Sequence, residues 1–263
     1  TVAQRTDIAM HATLGRILLP GLAHARNEIR RAALAAILAI SSVSSPPEPL
    51  TARVAEIALS DTSFAVRSAA FECLAALGES REELTSSASS FEEDVFFKGL
   101  RLHDDDEPIF DESSSTAVRS KVIVAAAIRS LLTDLSTAER ESVARLYTSR
   151  AACRALAAVF FRRRIGRPQP EVIPVLTRII AASQESLMQR GDDEESMSIG
   201  RVLLATSSAT ALASFAAGRR YEEEDLLSLT ASLVNAFLHL LAQKNTQGLS
   251  VALAFGASTC LEV

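Results

Sequence analysis

Apolar side chains recur at helical spacing in two segments that lie 37 residues apart in the chain. Six apolar positions keep one register across them: Ile17, Leu22, Ile29, Ala33, Ile37 and Ile40 correspond to Val54, Leu59, Val66, Ala70, Leu74 and Leu77. A helix pair of this size cannot bury its apolar face alone, so neighbouring pairs must stack to make a continuous core. The pattern therefore predicts an all-α fold, an α-solenoid of antiparallel helical hairpins that becomes irregular towards the C-terminus.

Helix-breaking residues divide residues 1–78 into two such hairpins. Pro20 and Gly21 are expected to end the first helix, and Gly78 is expected to cap the last one. A proline-rich connector at 41–49 separates the two hairpins. The four predicted helices are Val2–Leu19, Asn27–Ile40, Leu50–Leu59 and Phe64–Leu77.

The segment 79–117 differs in composition, because it is rich in Ser and then acidic. We interpret it as an insertion with one short amphipathic helix, Phe91–Leu102. Beyond it, Val118 and Arg119 match Val66 and Arg67 at a distance of 52 residues. Residues 118–263 are expected to continue as helical hairpins of the same solenoid, with long helices over Ala138–Arg164, Glu171–Arg190, Ser198–Ala217, Glu222–Gln243 and Leu249–Leu261.

The string LSDTSFAVRSAAFECLAALG, residues 59–78, resembles the HEAT repeat, a helical repeat of the armadillo-like kind. That family places an Asp in the turn between its two helices and a Val-Arg pair at the start of the second helix. Asp61, Val66 and Arg67 match these positions, and Leu74 lies in the apolar stripe that follows. In the first hairpin Ile29 and Arg30 take the Val-Arg position, and the resemblance covers residues 14–78. It implies that the Asp and Arg are structural and bond within and between repeats.

The composition limits which kinds of partner and which cellular compartment we expect for this chain. A formal charge of −5 gives no general attraction for polyanions, so direct nucleic-acid binding is not expected. The longest apolar run, Ala32 to Ile40, has nine residues and is too short to span a membrane. Cys73, Cys153 and Cys260 are scattered and odd in number, which favours a reducing compartment, the cytoplasm or alternatively the nucleus.

Motifs of catalytic chemistry are missing from the sequence. No two glycines lie closer than six positions, so neither phosphate-cradling glycine motif can be written. The four histidines, at positions 11, 24, 103 and 239, are never paired at metal-ligand spacing. We therefore expect no enzyme activity, no cofactor and no metal. A ligand pocket near Tyr221 or His239 would favour a helical enzyme or regulatory subunit instead.

One dense basic cluster, formed by Arg162, Arg163, Arg164 and Arg167, follows the middle of the chain. Cations at a helix C-terminus are favoured by the helix dipole, which suffices to explain the cluster. The alternative is a docking site for an acidic or phosphorylated partner, since guanidinium groups bind such oxygens in a bidentate manner.

The resemblance to HEAT proteins implies a non-catalytic scaffold that binds other proteins in a larger assembly. Translational control on the ribosome and nuclear transport or chromosome association are the alternatives within that class. The chain begins without Met and looks helical by Ile8, so we expect a segment of a longer protein.

Overall fold

The computed structural model describes residues 16–41, 48–79, 115–136, 142–162, 172–189, 195–217, 223–243 and 247–262. Within these ranges the chain is helical apart from short turns, and it contains no strand. The helices are α1 (residues 16–22), α2 (Asn27–Ser41), α3 (Glu48–Ser60), α4 (Phe64–Glu79), α5 (Ser115–Ser136), α6 (Val143–Arg162), α7 (Val172–Gln189), α8 (Glu195–Ala217), α9 (Glu223–Gln243) and α10 (Gln247–Glu262). The prediction of an all-α fold is confirmed for this part of the chain.

The helices form two rows by their contacts. In the even row α2 contacts α4, α4 contacts α6, α6 contacts α8, and α8 contacts α10. In the odd row α3 contacts α5, α5 contacts α7, and α7 contacts α9. The rows are joined by contacts of α3 with α4, α5 with α6, α7 with α8, and α9 with α10. Each interior helix of the even row therefore packs against two neighbours in its own row and against at least one in the other, since α4 also contacts α5 and α8 also contacts α9.

This packing explains why the even helices are so rich in apolar and small residues. A helix that packs on several sides must be apolar around most of its circumference. In α8, Leu204 and Phe215 belong to one buried cluster that extends back to α1, whereas Val202 and Ala209 belong to a second cluster shared with α9 and α10. Both clusters also include residues of α7. Together the two clusters contain buried residues from every described helix, α1 to α10.

Glycines mark the closest approaches within the even row. A Cβ placed on Gly78 of α4 would lie 2.9 Å from Cγ2 of Val159 in α6, and one on Gly200 of α8 would lie 2.9 Å from Cδ1 of Leu146 in α6. The prediction that Gly78 caps α4 is wrong, because Gly78 is buried inside the helix and no described glycine has a positive φ. Its missing side chain serves helix packing, not the left-handed turn of a C-cap.

The first predicted boundary is also wrong, because α1 continues through Pro20 and Gly21 to residue 22. Proline removes one amide donor, but Leu22 is only 1% exposed, and the amide of Ala23 still donates to the carbonyl of Leu19 at 3.2 Å. Burial of Leu22 therefore outweighs the lost bond. Residues 2–15 of this predicted helix lie outside the described residues.

Three further expectations concern residues 79–119. Most of the predicted insertion, including its short helix Phe91–Leu102, lies outside the described residues. Its last three residues, 115–117, form the start of α5, which begins at Ser115. The match of Val118 to Val66 is not supported, since α5 belongs to the odd row and α4 to the even row. By contacts, the even-row successor of α4 is α6.

Candidate interaction surface

A bidentate ion pair joins the two segments that share one apolar pattern in the sequence. Nε of Arg30 donates to Oδ2 of Asp61 at 2.7 Å, and Nη2 of Arg30 donates to Oδ1 at 2.8 Å. Nη1 of Arg30 also donates to the carbonyls of His24 and Ala25, at 2.9 and 2.8 Å. The Arg of the first segment thus binds both its own turn and the Asp of the next turn, across 31 residues of sequence.

Asp61 also organises the start of α4. Its Oδ1 accepts a hydrogen bond from the amide of Ser63 at 2.8 Å, which satisfies a donor just before the helix. Burial alone would raise the pKa of Asp61. The hydrogen bonds from Arg30 and Ser63, together with the positive charges of Arg30 and Arg67, outweigh that effect and lower the pKa below its usual value. The carboxylate is therefore held ionised as a structural acceptor.

The other three predicted repeat positions also lie where structural residues belong. Val66 and Leu74 are fully buried in the core of α4. The guanidinium of Arg67 lies 4.2 Å from the centre of the Phe64 ring, a cation–π contact. Its Nε is buried, and no acceptor among the described residues reaches it. Val66, Arg67 and Leu74 thus make packing contacts, and their role as HEAT repeat positions stays a prediction.

A second arginine–aspartate pair escaped the sequence reasoning. Nε of Arg145 donates to Oδ1 of Asp134 at 2.9 Å, and Oγ of Ser149 donates to Oδ2 at 2.6 Å. Asp134 lies in the last turn of α5, and Arg145 lies in the first turn of α6. The signal available in the sequence was an Asp eleven positions before an Arg, a spacing that no motif distinguishes.

An open face runs over the even helices α2, α4 and α6. A groove of about 470 Å³ lies between α2 and α4; residues from both helices line it, and among them are Glu28, Arg31, Leu38 and Glu72. Glu72 in turn accepts a hydrogen bond from Nη1 of Arg154 in α6 at 2.7 Å, so the same surface continues onto α6. We use "open face" for these five residues together with Tyr147, which is two turns before Arg154 on α6.

The open face is mixed in character. Leu38 is 40% exposed and Tyr147 is 38% exposed, so two large side chains that could bury apolar area remain in water. The charged side chains carry both signs, Glu28 and Glu72 against Arg31 and Arg154. Exposed aromatic and apolar side chains among charges of both signs are typical of protein-binding surfaces, whereas a polyanion would need one continuous basic lining.

Other candidate sites within the described residues are a smaller pocket and the surroundings of His239. A pocket of about 110 Å³ between α5, α6, α7 and α8 contains Asp134 and Arg145, but these two side chains already bind each other. No group of three metal-ligating side chains exists in this part of the chain. His239 is exposed and lines neither described cavity, and Tyr221 lies outside the described residues.

The three cysteines are buried and unpaired with one another. Burial raises the pKa of Cys73 and of Cys153 to about 12, and that of Cys260 to about 11. The Sγ of Cys73 donates to the carbonyl of Leu34 at 3.0 Å, which places it as a packing residue between α4 and α2. Such thiols stay protonated near neutral pH, which makes them poor nucleophiles.

The basic cluster remains a prediction. Arg162 is the last described residue of α6. Its side chain and the whole of Arg163, Arg164 and Arg167 lie outside the described residues. No described helix is long and apolar enough to cross a membrane.

Comparisons with known proteins add nothing to this geometry. No protein-family model, no curated protein and no solved structure matches the chain. The candidate function therefore depends on the contacts and surfaces of the chain itself.

Proposed function

We propose that the chain is a HEAT-like α-solenoid of antiparallel helical hairpins and that it serves as a non-catalytic scaffold, binding another protein on the open face. The observation that carries the proposal is the two-row contact pattern, in which each even helix stacks on the next. Such stacking is the defining property of repeat proteins, where every unit contacts its neighbours and the stack offers an extended binding surface.

The direction of the even helices supports the solenoid. From α4 to α6, the carbonyl of Phe64 accepts from Thr148, Glu72 binds Arg154, and Gly78 approaches Val159. Residue numbers rise together along both helices, as expected for helices that run in the same direction. From α6 to α8 the contacts also rise together, with Leu146 against Gly200 and Cys153 against Ser208.

Helices that follow one another in a row and share one direction need a return helix between them. The odd helices α5 and α7 supply these returns, since α5 lies between α4 and α6 in sequence and α7 lies between α6 and α8. This is the connectivity of antiparallel hairpins in a helical-repeat stack. The bidentate pair of Arg30 with Asp61 further fits the inter-repeat bond that the HEAT resemblance implies.

The chemistry of the open face favours a protein partner that presents both apolar and charged groups. Leu38 and Tyr147 can pack against apolar side chains of a partner. Tyr147 is suited to act as an anchor, because aromatic anchors carry much of the energy of protein interfaces. The surrounding charges of both signs favour specificity over general attraction to an anionic polymer. Three free buried thiols fit a reducing compartment, and we propose the cytoplasm.

The test is affinity capture of the whole chain from an extract of its native cells at moderate salt, with and without nuclease. Two variants are compared with the wild type. The first carries Leu38→Ala and Tyr147→Ala on the open face. The second is a matched control with Leu132→Ala and Leu238→Ala in the odd row, whose side chains are 40% and 50% exposed. Circular dichroism of each variant checks that the fold is retained.

We expect nuclease-resistant protein partners that the open-face variant loses at least tenfold and the control variant keeps. Equal capture by both variants would reject the open face as the binding surface. Capture that nuclease abolishes would favour the ribosomal or chromosomal alternatives over a direct protein contact. An extract that yields no partner of the wild type would contradict the scaffold.

A further inference from the structure

The groove between α2 and α4 stays open where the next pair of even helices is bridged. Across α4 and α6, Glu72 accepts a hydrogen bond from Nη1 of Arg154 at 2.7 Å. At the offset of 37 residues, α2 has Ala35 where α4 has Glu72. No ion pair between described residues crosses the groove from α2 to α4. Its volume of about 470 Å³ therefore remains accessible on the open face.

The α2 side of the groove is apolar and mostly small. Ala32, Ala35 and Leu38 of α2 are exposed, and Ala69 of α4 opposite them is partly buried. Small side chains let the backbone of a bound segment come close, because the side chains at a contact set the distance between helix axes. A cavity of about 150 Å³ holds one benzene ring, so the groove has space for about three large apolar side chains.

The construction of the groove favours a helix over an extended segment as its occupant. Both sides are helices, whose backbone amides and carbonyls are bonded within each helix. The nine lining residues include no Asn, Gln, Ser or Thr that could bind the backbone of an extended chain. A helix satisfies its own backbone groups. The groove runs from Glu28 to Leu38 along α2, about 15 Å at about 1.5 Å per residue, which matches three helical turns.

The charges of the groove indicate which side chains should border the apolar face of that helix. Glu28 lies 3.7 Å from Arg26. Glu72 is paired with Arg154. Arg31, by contrast, is exposed and has no hydrogen-bond or ion-pair partner among the described residues. The uncompensated charge of the groove is thus positive, and it is complementary to a carboxylate, which a guanidinium can bind in a bidentate manner.

We propose that the protein partner engages the α2–α4 groove with one amphipathic α-helix. Large apolar side chains at positions i, i+3 or i+4, and i+7 of that helix enter the groove, and an acidic side chain beside them binds Arg31. This inference rests on the proposed scaffold function, because the groove belongs to the open face. It adds the kind of segment that the partner presents.

The test is a selection of random twelve-residue peptides, displayed on phage, against the immobilised whole chain. Twelve residues form a helix of about 18 Å, enough to fill the groove. We expect enriched peptides with apolar residues at helical spacing and an acidic residue next to them. The best peptides are then synthesised, and their affinity is measured by fluorescence anisotropy. A proline in the middle of such a peptide should weaken binding at least tenfold, because it breaks the helix.

Two variants of the chain locate the bound peptide. Arg31→Glu reverses the uncompensated charge, and Ala35→Trp fills the groove with a bulky side chain. Each should weaken peptide binding at least tenfold. The matched controls are Arg178→Glu on α7 and Ala52→Trp on α3, both at exposed positions of the odd row, and they should bind as the wild type does. All four changes are made at exposed residues, and circular dichroism checks that the fold is retained.

No enriched peptide, enriched peptides without helical periodicity, or peptides that both groove variants bind as tightly as the wild type would each overturn the proposal. Affinity capture from native extract separates this failure from failure of the scaffold function. Partners that Leu38→Ala with Tyr147→Ala loses, but that Arg31→Glu and Ala35→Trp both keep, would uphold the scaffold and reject the helix in the groove. Peptides that bind the groove, together with an extract that yields no partner, would support the groove chemistry and contradict the scaffold.

Discussion

Replacement of Leu74 tests whether the core of α4 depends on the stacking that the repeat pattern predicts. Leu74 is fully buried, and its counterpart in the preceding segment, Ile37, is fully buried as well. Leu74→Ala removes three carbons, a transfer cost of about 2.4 kcal/mol at about 0.8 kcal/mol for each. The cavity left in a packed core adds to this, so we expect a total loss of about 3–4 kcal/mol.

Leu74→Asp goes further, because it puts an unpaired carboxylate where no water reaches. Its cost should exceed about 5 kcal/mol, enough to unfold the segments that pack on α4. The matched control is Leu38→Ala on α2, a leucine that is 40% exposed, and its loss should stay below about 1 kcal/mol.

The assay is urea unfolding followed by circular dichroism, with hydrogen exchange to locate the loss. In Leu74→Asp we expect fast exchange across α2, α3 and α4, because α4 contacts both other helices. The C-terminal helices α9 and α10 should exchange as in the wild type, since the cluster residues of both helices belong only to the second core cluster, which contains no residue of α4. Unfolding midpoints of Leu74→Asp and Leu38→Ala that both equal the wild type would refute the reasoning.

Three further predictions follow from the packing and the ionised groups. Because the folded pKa of Asp61 is lowered, the unfolded state takes up the proton first. The stabilisation by this carboxylate is therefore present above the ordinary carboxyl pKa of about 4 and is lost as pH falls through the pKa of Asp61 in the folded state. Asp61→Asn should accordingly lower the urea midpoint at pH 7 but not in strong acid. Gly78→Ala should lower the melting temperature despite the better helix propensity of Ala, because the new Cβ would lie 2.9 Å from Cγ2 of Val159. A rise in melting temperature would contradict the close α4–α6 contact. The thiols of Cys73, Cys153 and Cys260 should react with a disulfide reagent far more slowly at neutral pH in the native protein than in urea, and equal rates would show that they are not buried.

The sequence predicted helices well where apolar periodicity and breakers agreed. The predicted Asn27–Ile40 and Phe64–Leu77 differ from α2 and α4 by two residues at most, because polar residues at or before each start mark the beginning of an apolar segment. The first boundary failed at Pro20, where local propensity favoured a stop and burial of Leu22 kept the helix intact. Gly78 failed for the same kind of reason, since a glycine that permits close packing looks like a C-cap in sequence.

The candidate site was predicted in part. Asp61 and Arg67 were recognised through the HEAT resemblance, but the partner of Asp61 turned out to be Arg30 of the preceding segment, a contact over 31 residues that periodicity cannot identify. Asp134 with Arg145 was missed because its spacing belongs to no motif. The open face was also beyond sequence reasoning, since exposure of Tyr147 depends on which neighbours pack beside α6.

The most direct test of the scaffold is site-specific photocrosslinking in native extract. One variant carries a photoreactive phenylalanine analogue in place of Tyr147, on the open face of α6. A control variant carries it in place of Leu132, in the odd-row helix α5. The two native side chains are similarly exposed, at 38% and 40%. We expect discrete, nuclease-resistant protein adducts from position 147 that position 132 does not give. Adducts of equal yield at both positions, or none at position 147, would contradict a protein-binding role for the open face.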